Sequence, residues 1–301
     1  MKILITGASN GMGRGVANAL AEYRAENNEL ILLCRSEALG LQTIAELQAK
    51  NRAAEFSLVL CDLSDMDSVR RAVLEIKDRH SFLDSIFINA GIGYAARQLI
   101  TPDGMDSHFQ VNYLSQFYLV LQLLDLLEKS DRGGRVIFNA TPGGRLNWDD
   151  LQMTKRWDYE TAIHQAMVAK RMFLQTLHDS YRTRPVKVSF IGFSIHKTVW
   201  SNQINLIPRH MKAFASVMKA LGLFISVDEC GRVMAPLFLE NFAQSIEKSG
   251  ALLTWKKKRF SSIAEDAAVK DEATRKKLFE LSLQLCKACS VQITDSATSR
   301  V

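Results

Sequence analysis

Apolar residues in this chain gather in short unbroken runs, and the stretches between them carry helical spacing. Lys2–Thr6 is the first run, followed by a glycine-rich turn and a helical pattern over 12–24. Runs at 30–34, 56–60, 85–88 and 135–138 alternate with helical patterns at 37–49, 68–79 and 105–129. The pattern continues with a helix over Tyr159–Tyr181, a strand at 186–191, a last strand at 252–255 after a Gly250 turn, and a helix over 271–289. Continuous apolar strands separated by helices mark a parallel sheet covered on both faces. The expected fold is therefore α/β, a doubly wound parallel sheet of the Rossmann type. With no internal repeat and no linker, residues 1–301 read as a single domain.

Composition narrows the class. Hydrophobic residues make up 47% and charged residues 23%, which excludes a disordered chain. No apolar run reaches the ~18 residues of a bilayer span, and residues 1–7 do not resemble a secretory signal. A cytoplasmic protein without a stable membrane span is the expectation. The net charge of +6 is scattered. Its densest run, Lys256-Lys257-Lys258-Arg259, fits a solvated turn better than a nucleic-acid site. The five cysteines include one Cys-x-x-Cys pair, Cys286 and Cys289, on an apolar helix with no second pair beside it. Incidental helix cysteines explain the pair better than a metal, and no metal site is expected.

The sharpest chemical signal is Thr6-Gly7-Ala8-Ser9-Asn10-Gly11-Met12-Gly13, between the first strand and the first helix. In that setting Gly7 allows the tight turn, Gly11 lets the backbone approach a pyrophosphate, and Gly13 lets the helix pack on the strand. The helix start offers free N–H groups and a positive dipole to the phosphates. Ser9, Asn10 and Met12 complete this dinucleotide cradle. Sites for NAD place an acid about 20 residues further on, at the end of the second strand. Here that place holds Cys34-Arg35-Ser36. A guanidinium and a hydroxyl suit a 2′-phosphate, so NADP(H) is the expected cofactor. The competing reading of Arg35 is a solvated helix-start residue.

These residues resemble the short-chain dehydrogenase/reductase family over nearly the whole chain. The turn fits the family's TGxxxGxG. Cys61-Asp62-Leu63 resembles its third strand end, where the resemblance implies an adenine contact by Asp62 and its neighbour Leu63. Asn89-Ala90-Gly91 matches the family's NAG. Asn112 and Lys170 fall at its active-site asparagine and lysine, and Thr141 at its serine. Thr198 falls where a threonine touches the nicotinamide end. Asp150-Leu151, Lys170-Arg171-Met172-Phe173 and residues 277–282 resemble the branch of retinol dehydrogenases and protochlorophyllide reductase. The family's Tyr-x-x-x-Lys is broken, because Ala166 stands four residues before Lys170.

The resemblance implies an NADPH-dependent reductase of a small, mainly apolar organic molecule, with Asn112, Thr141 and Lys170 at the reaction centre. Without the tyrosine acid, the substrate needs prior activation, as in an iminium or a polarised C=C bond. Two alternatives stand beside it: a cyclase or isomerase that keeps NADP bound, and a nucleotide-binding protein without catalysis. Tyr94, in the loop after the fourth strand, and Tyr159 are candidate replacement acids; for Tyr94 the competing role is a loop aromatic on apolar surface. Residues 199–223 read as a helical substrate lid, with Trp200, Ile204, Met211 and Phe214 either lining a pocket, filling core or forming a homo-oligomer contact. Residues 265–301 read as a C-terminal helical extension.

Overall fold

In the computed structural model, residues 1–23, 28–195, 198–199, 212, 215–218 and 224–289 are described. Six parallel strands form the body of the sheet: β1 (Lys2–Thr6), β2 (Glu29–Cys34), β3 (Glu55–Leu60), β4 (Ser85–Ile88), β5 (Gly134–Asn139) and β6 (Val188–Phe193). A two-residue strand β7 (Thr198–Val199) pairs with β8 (Phe224–Ile225) outside the main sheet. The main sheet is completed by β9 (Leu252–Lys256) and β10 (Arg259–Ile263), in the order β10-β9-β6-β5-β4-β1-β2-β3.

The helices are α1 (Gly11–Glu22), α2 (Glu37–Lys50), α3 (Met66–Arg79), α4 (Ser107–Phe109), α5 (Ser115–Glu128), α6 (Tyr159–Tyr181), α7 (Val227–Leu239), α8 (Phe242–Ile246), α9 (Ala267–Lys270) and α10 (Glu272–Ala288). Among the described residues no helix is long and apolar enough to cross a membrane.

Each apolar strand feeds two cores, because successive side chains leave opposite faces. Leu4, Ile86, Ile88, Val136 and Phe138 pack on the α5 and α6 side. Ile3, Ile5, Phe87 and Ile137 pack on the side of α1 and α7. Strand order reverses between β1 and β4, which opens a crevice at their carboxyl ends.

Two features depart from the sequence pattern. The sheet has an antiparallel edge, since β10 pairs antiparallel with β9. The basic run forms the hairpin turn between them, with Lys257 and Lys258 at φ 52° and 60°. Short, half-polar Arg259–Ile263 lacks the apolar run that marks the inner strands. The 105–129 pattern is not one α-helix: Gln110–Leu114 forms a π turn between α4 and α5. A π turn leaves hydrophobic spacing nearly intact while rotating the side chains within it. Residues 200–211, 213–214 and 219–223 of the expected lid and 290–301 of the expected extension lie outside the described residues.

Candidate active site

The turn after β1 closes because Gly7 adopts φ 67° and its N–H donates to the Leu33 carbonyl at 2.9 Å. A Cβ on Gly13 would stand 2.4 Å from the Gly7 carbonyl oxygen, so the first turn of α1 reaches this loop only as glycine. Asn10 caps α1, its side-chain oxygen accepting from the Gly11 N–H at 2.8 Å, and the first turn holds no acidic residue. The result is a tight, uncharged helix start that fits an anionic pyrophosphate. Ser9 and Met12 flank it. The other rim of the crevice is Asn89-Ala90-Gly91. The Thr6 hydroxyl accepts from the N–H groups of Asn89 and Ala90 at 2.8 and 2.9 Å and donates to the Phe87 carbonyl at 3.0 Å. Asn89 Nδ2 donates to the Thr6 carbonyl at 3.1 Å. Thr6 thereby ties β1 to β4, a role its place before the glycines did not announce.

Arg35 lies exposed at the carboxyl end of β2, beside the glycine turn. Ser36 is the N-cap of α2, accepting from the Leu39 N–H at 3.4 Å. Its hydroxyl thus serves the helix start. Asp62 accepts from the N–H and hydroxyl of Ser64 at 2.9 and 2.7 Å, which fixes its carboxylate at the end of β3. The adjoining Leu63 is buried, and its carbonyl accepts from the Ser115 hydroxyl at 2.6 Å.

The π turn aims Asn112 at the loop after β4. Asn112 Oδ1 accepts from the Ile92 N–H at 2.8 Å and Nδ2 donates to the Ile92 carbonyl at 3.0 Å. Gln116, one turn on, donates to the Ala90 carbonyl at 2.5 Å. Both amides fasten the Asn89–Ile92 rim.

Lys170 is buried at 2% exposure on α6, and its Nζ donates to the Asn139 carbonyl at the end of β5, 3.1 Å away. Burial with no carboxylate close by lowers the ammonium to a pKa of about 7. Arg171 is buried as well, and one Nη donates to the Gly143 carbonyl at 2.7 Å. Consecutive basic residues therefore grip both ends of the Asn139–Gly143 loop, and Thr141 stands exposed between them. Arg171 is held in turn by Glu265 at 2.5 Å and Asp266 at 2.8 Å.

Ala166 lies one turn before Lys170 and is fully buried, in the same apolar cluster as Leu146, Trp148 and Leu151. Gln165 binds this covering loop through the Asn147 N–H at 2.6 Å and the Leu151 carbonyl at 2.9 Å. Tyr94 and Tyr159 meet edge to face at 5.3 Å. His164 is exposed on α6. The side chain of Thr198 lies outside the described residues.

So the structure gathers Gly7–Gly13, Asn89–Gly91, Asn112 and Lys170 along the crevice, with Arg35 and Asp62 at the strand ends beyond it. The tying roles of Thr6, Gln116 and Arg171 are not visible in the sequence. Their polar character was visible, but their long-range partners were not.

A family model described as short chain dehydrogenase matches residues 1–206. WW domain-containing oxidoreductase of Drosophila melanogaster is 32% identical over 205 residues, 64% of this chain and 47% of that protein. Human 3-keto-steroid reductase/17-beta-hydroxysteroid dehydrogenase 7 is 31% identical over 187 residues, 51% of this chain and 54% of that one. The matched stretch thus spans about half the length of these curated relatives. Among solved structures, NADPH-bound carbonyl reductase from chicken fatty liver superposes with a TM-score of 0.61 at 20% identity, over 87% of this chain and 98% of that one. An uncharacterised protein from Mycobacterium paratuberculosis reaches 0.67 at 22% identity, over 95% and 93%. These two likenesses establish the fold.

Proposed function

The chain belongs to the short chain dehydrogenase family, and we propose that it is an NADPH-dependent reductase of a small, pre-activated organic substrate such as an iminium ion or a polarised C=C bond. Membership makes it an oxidoreductase of the nicotinamide-dependent kind. The observation that carries the finer reading is the pairing of buried Ala166 with buried Lys170 on one face of α6.

In carbonyl reduction, negative charge develops on oxygen and a positioned acid typically contributes about 10²–10⁴ in rate. A methyl group at 166 donates nothing. An iminium carbon asks for no such acid: bound NADPH would supply the hydride, and the C=N π electrons would pass to nitrogen and neutralise it. The residues then have holding tasks. Gly7–Gly13 and the start of α1 receive the pyrophosphate. Arg35 and the Ser36 hydroxyl receive the 2′-phosphate, and Asp62 with Leu63 flanks the adenine. Lys170 holds the nicotinamide ribose in place of its present Asn139 acceptor, and Thr198 lies toward the nicotinamide end. Asn112 keeps the Asn89–Gly91 rim in register, and Thr141 offers a hydroxyl to the substrate.

The cofactor choice is tested by titrating NADPH and NADH into wild type and Arg35→Ala. NADPH should bind at least tenfold more tightly to the wild type, as expected for a charged hydrogen bond of about 1.5–3 kcal/mol. The preference should vanish in the variant while NADH affinity holds. Equal affinities in the wild type would remove the NADP assignment.

A further inference from the structure

On the substrate side of the crevice, beyond Asn112, four aromatic rings converge. Tyr94 comes from the loop after β4, and Trp157 and Tyr159 from the start of α6. Tyr159 meets Tyr94 at 5.3 Å and His108 at 6.3 Å, and His108 meets Trp157 at 6.1 Å. Tyr94, Trp157 and Tyr159 are half-buried, so part of each ring remains open to solvent. Tyr159 precedes Ala166 by seven residues, two turns along the same face of α6 and roughly 10 Å. Ile92, which Asn112 fastens, lies two residues before Tyr94. The cluster thus adjoins the loop that Asn112 fastens.

Asp106, 2% exposed, lies at the indole edge of Trp157. Its Oδ2 accepts from Trp157 Nε1 at 3.1 Å and Gln98 Nε2 at 3.2 Å, and its Oδ1 from the N–H groups of His108 and Phe109 at 3.0 and 3.1 Å. Every one of these donors is neutral, and among the described residues no lysine or arginine forms an ion pair with Asp106. His108 Nε2 lies 2.8 Å from the Gly93 carbonyl, which ties this ring to the loop that bears Tyr94. Ring faces and a carboxylate held only by neutral donors both favour a cation.

We propose that the Tyr94–Trp157–Tyr159 cluster is the substrate-recognition wall of this enzyme and selects a planar organic cation, an aromatic ring bearing a quaternary or iminium nitrogen. The assignment rests on the reductase reading above and gives it a substrate class. The cation packs against the tyrosine rings with Asp106 at the Trp157 edge, beside the loop that Asn112 fastens. A neutral ketone of the same frame gains the ring contacts without the charge attraction.

The test uses the full chain saturated with NADP+, titrated at pH 8 with N-methylquinolinium and with quinoline, which is uncharged there. The cation should bind at least tenfold more tightly. Tyr94→Leu and Tyr159→Leu should each remove most of that preference. Tyr94→Phe and Tyr159→Phe, which keep the ring faces and guard against a folding defect, should retain it. Equal affinity for both probes, a preference untouched by both leucine variants, a preference lost equally in the phenylalanine variants, or no binding of either probe would overturn the proposal. The reductase reading fails separately: selective binding of the cation, with no NADPH oxidation by a reducible iminium of the same frame, would leave the recognition wall standing and remove the redox step.

Discussion

Replacing Lys170 by methionine will slow hydride transfer by about 10²-fold or more and will, in the same molecule, stabilise the cofactor-free fold. Methionine keeps much of the stem and loses the donors that fix the ribose. A misplacement of about 1 Å at the reacting carbon is enough for a 10²-fold loss. The stability effect has the opposite sign, because the ammonium is buried with one carbonyl as partner and no carboxylate to compensate it. Removing such a group should gain about 1–3 kcal/mol near neutral pH. The folded pKa of about 7 lies below the ordinary lysine value of 10.5, so between those limits the unfolded chain binds more protons. Lys170's contribution to stability therefore rises with pH across that window, by at most ~1.4 kcal/mol per pH unit. The wild-type-minus-variant difference in denaturant unfolding, negative near neutral pH, should rise with pH from about 7 to 10 and pass through zero. A difference that stays flat would place a compensating charge beside Lys170.

Arg171→Met will have the opposite effect on the fold, a loss of about 3–5 kcal/mol, as expected when one partner of a buried ion pair is removed. Arg171 is 1% exposed and Glu265 9%, while Asp266 at 43% is well hydrated, so Glu265 dominates the loss. Burial already pushes the Glu265 carboxyl up, against the pull of Arg171. Without the guanidinium it rises further, and the deficit should narrow as pH falls and Glu265 takes up a proton. Urea unfolding at pH 5 and pH 8 reads this directly. The loop bearing Thr141 loses its anchor at Gly143 in the same variant. An unchanged midpoint at pH 8 would mean that the network contributes nothing to the fold.

The strands that build the cofactor crevice were legible because each is an unbroken apolar run bounded by a turn signal. Lys2–Thr6 followed by three spaced glycines states both a strand and the backbone the next helix needs. Gly13 is the clearest case, since the spacing that marks it in sequence is the spacing that brings its Cα against Gly7. Arg35 was legible for a chemical reason, as a base where an acid is expected. The π turn was not. Gln110–Leu114 keeps apolar residues in helical rhythm, and the shift that points Asn112 at Ile92 leaves no trace in hydrophobicity. Arg171 was hidden for another reason. A basic residue on an amphipathic helix reads as a solvated face until the partners, here Glu265 and Asp266 about ninety residues away, fold against it. The antiparallel strand β10 escaped because half of its residues are polar. Tyr94 and Tyr159 were each visible as candidates, while their contact, and Asp106 at the Trp157 edge, belong to the tertiary structure.

Hydride transfer to carbon without a tyrosine acid is the defining step of the proposed reaction. The most direct measurement follows deuterium from 4-deuterated NADPH into product, with 2-methyl-3,4-dihydroisoquinolinium and the ketone 1-tetralone offered to the wild type in parallel. Deuterium should appear at the former iminium carbon, one per NADPH oxidised, and the ketone should react slower by at least 10²-fold, the lower end of what a positioned acid supplies. Reduction of the ketone at a rate equal to the iminium, or an iminium that gains no deuterium while NADPH stays reduced, would contradict it.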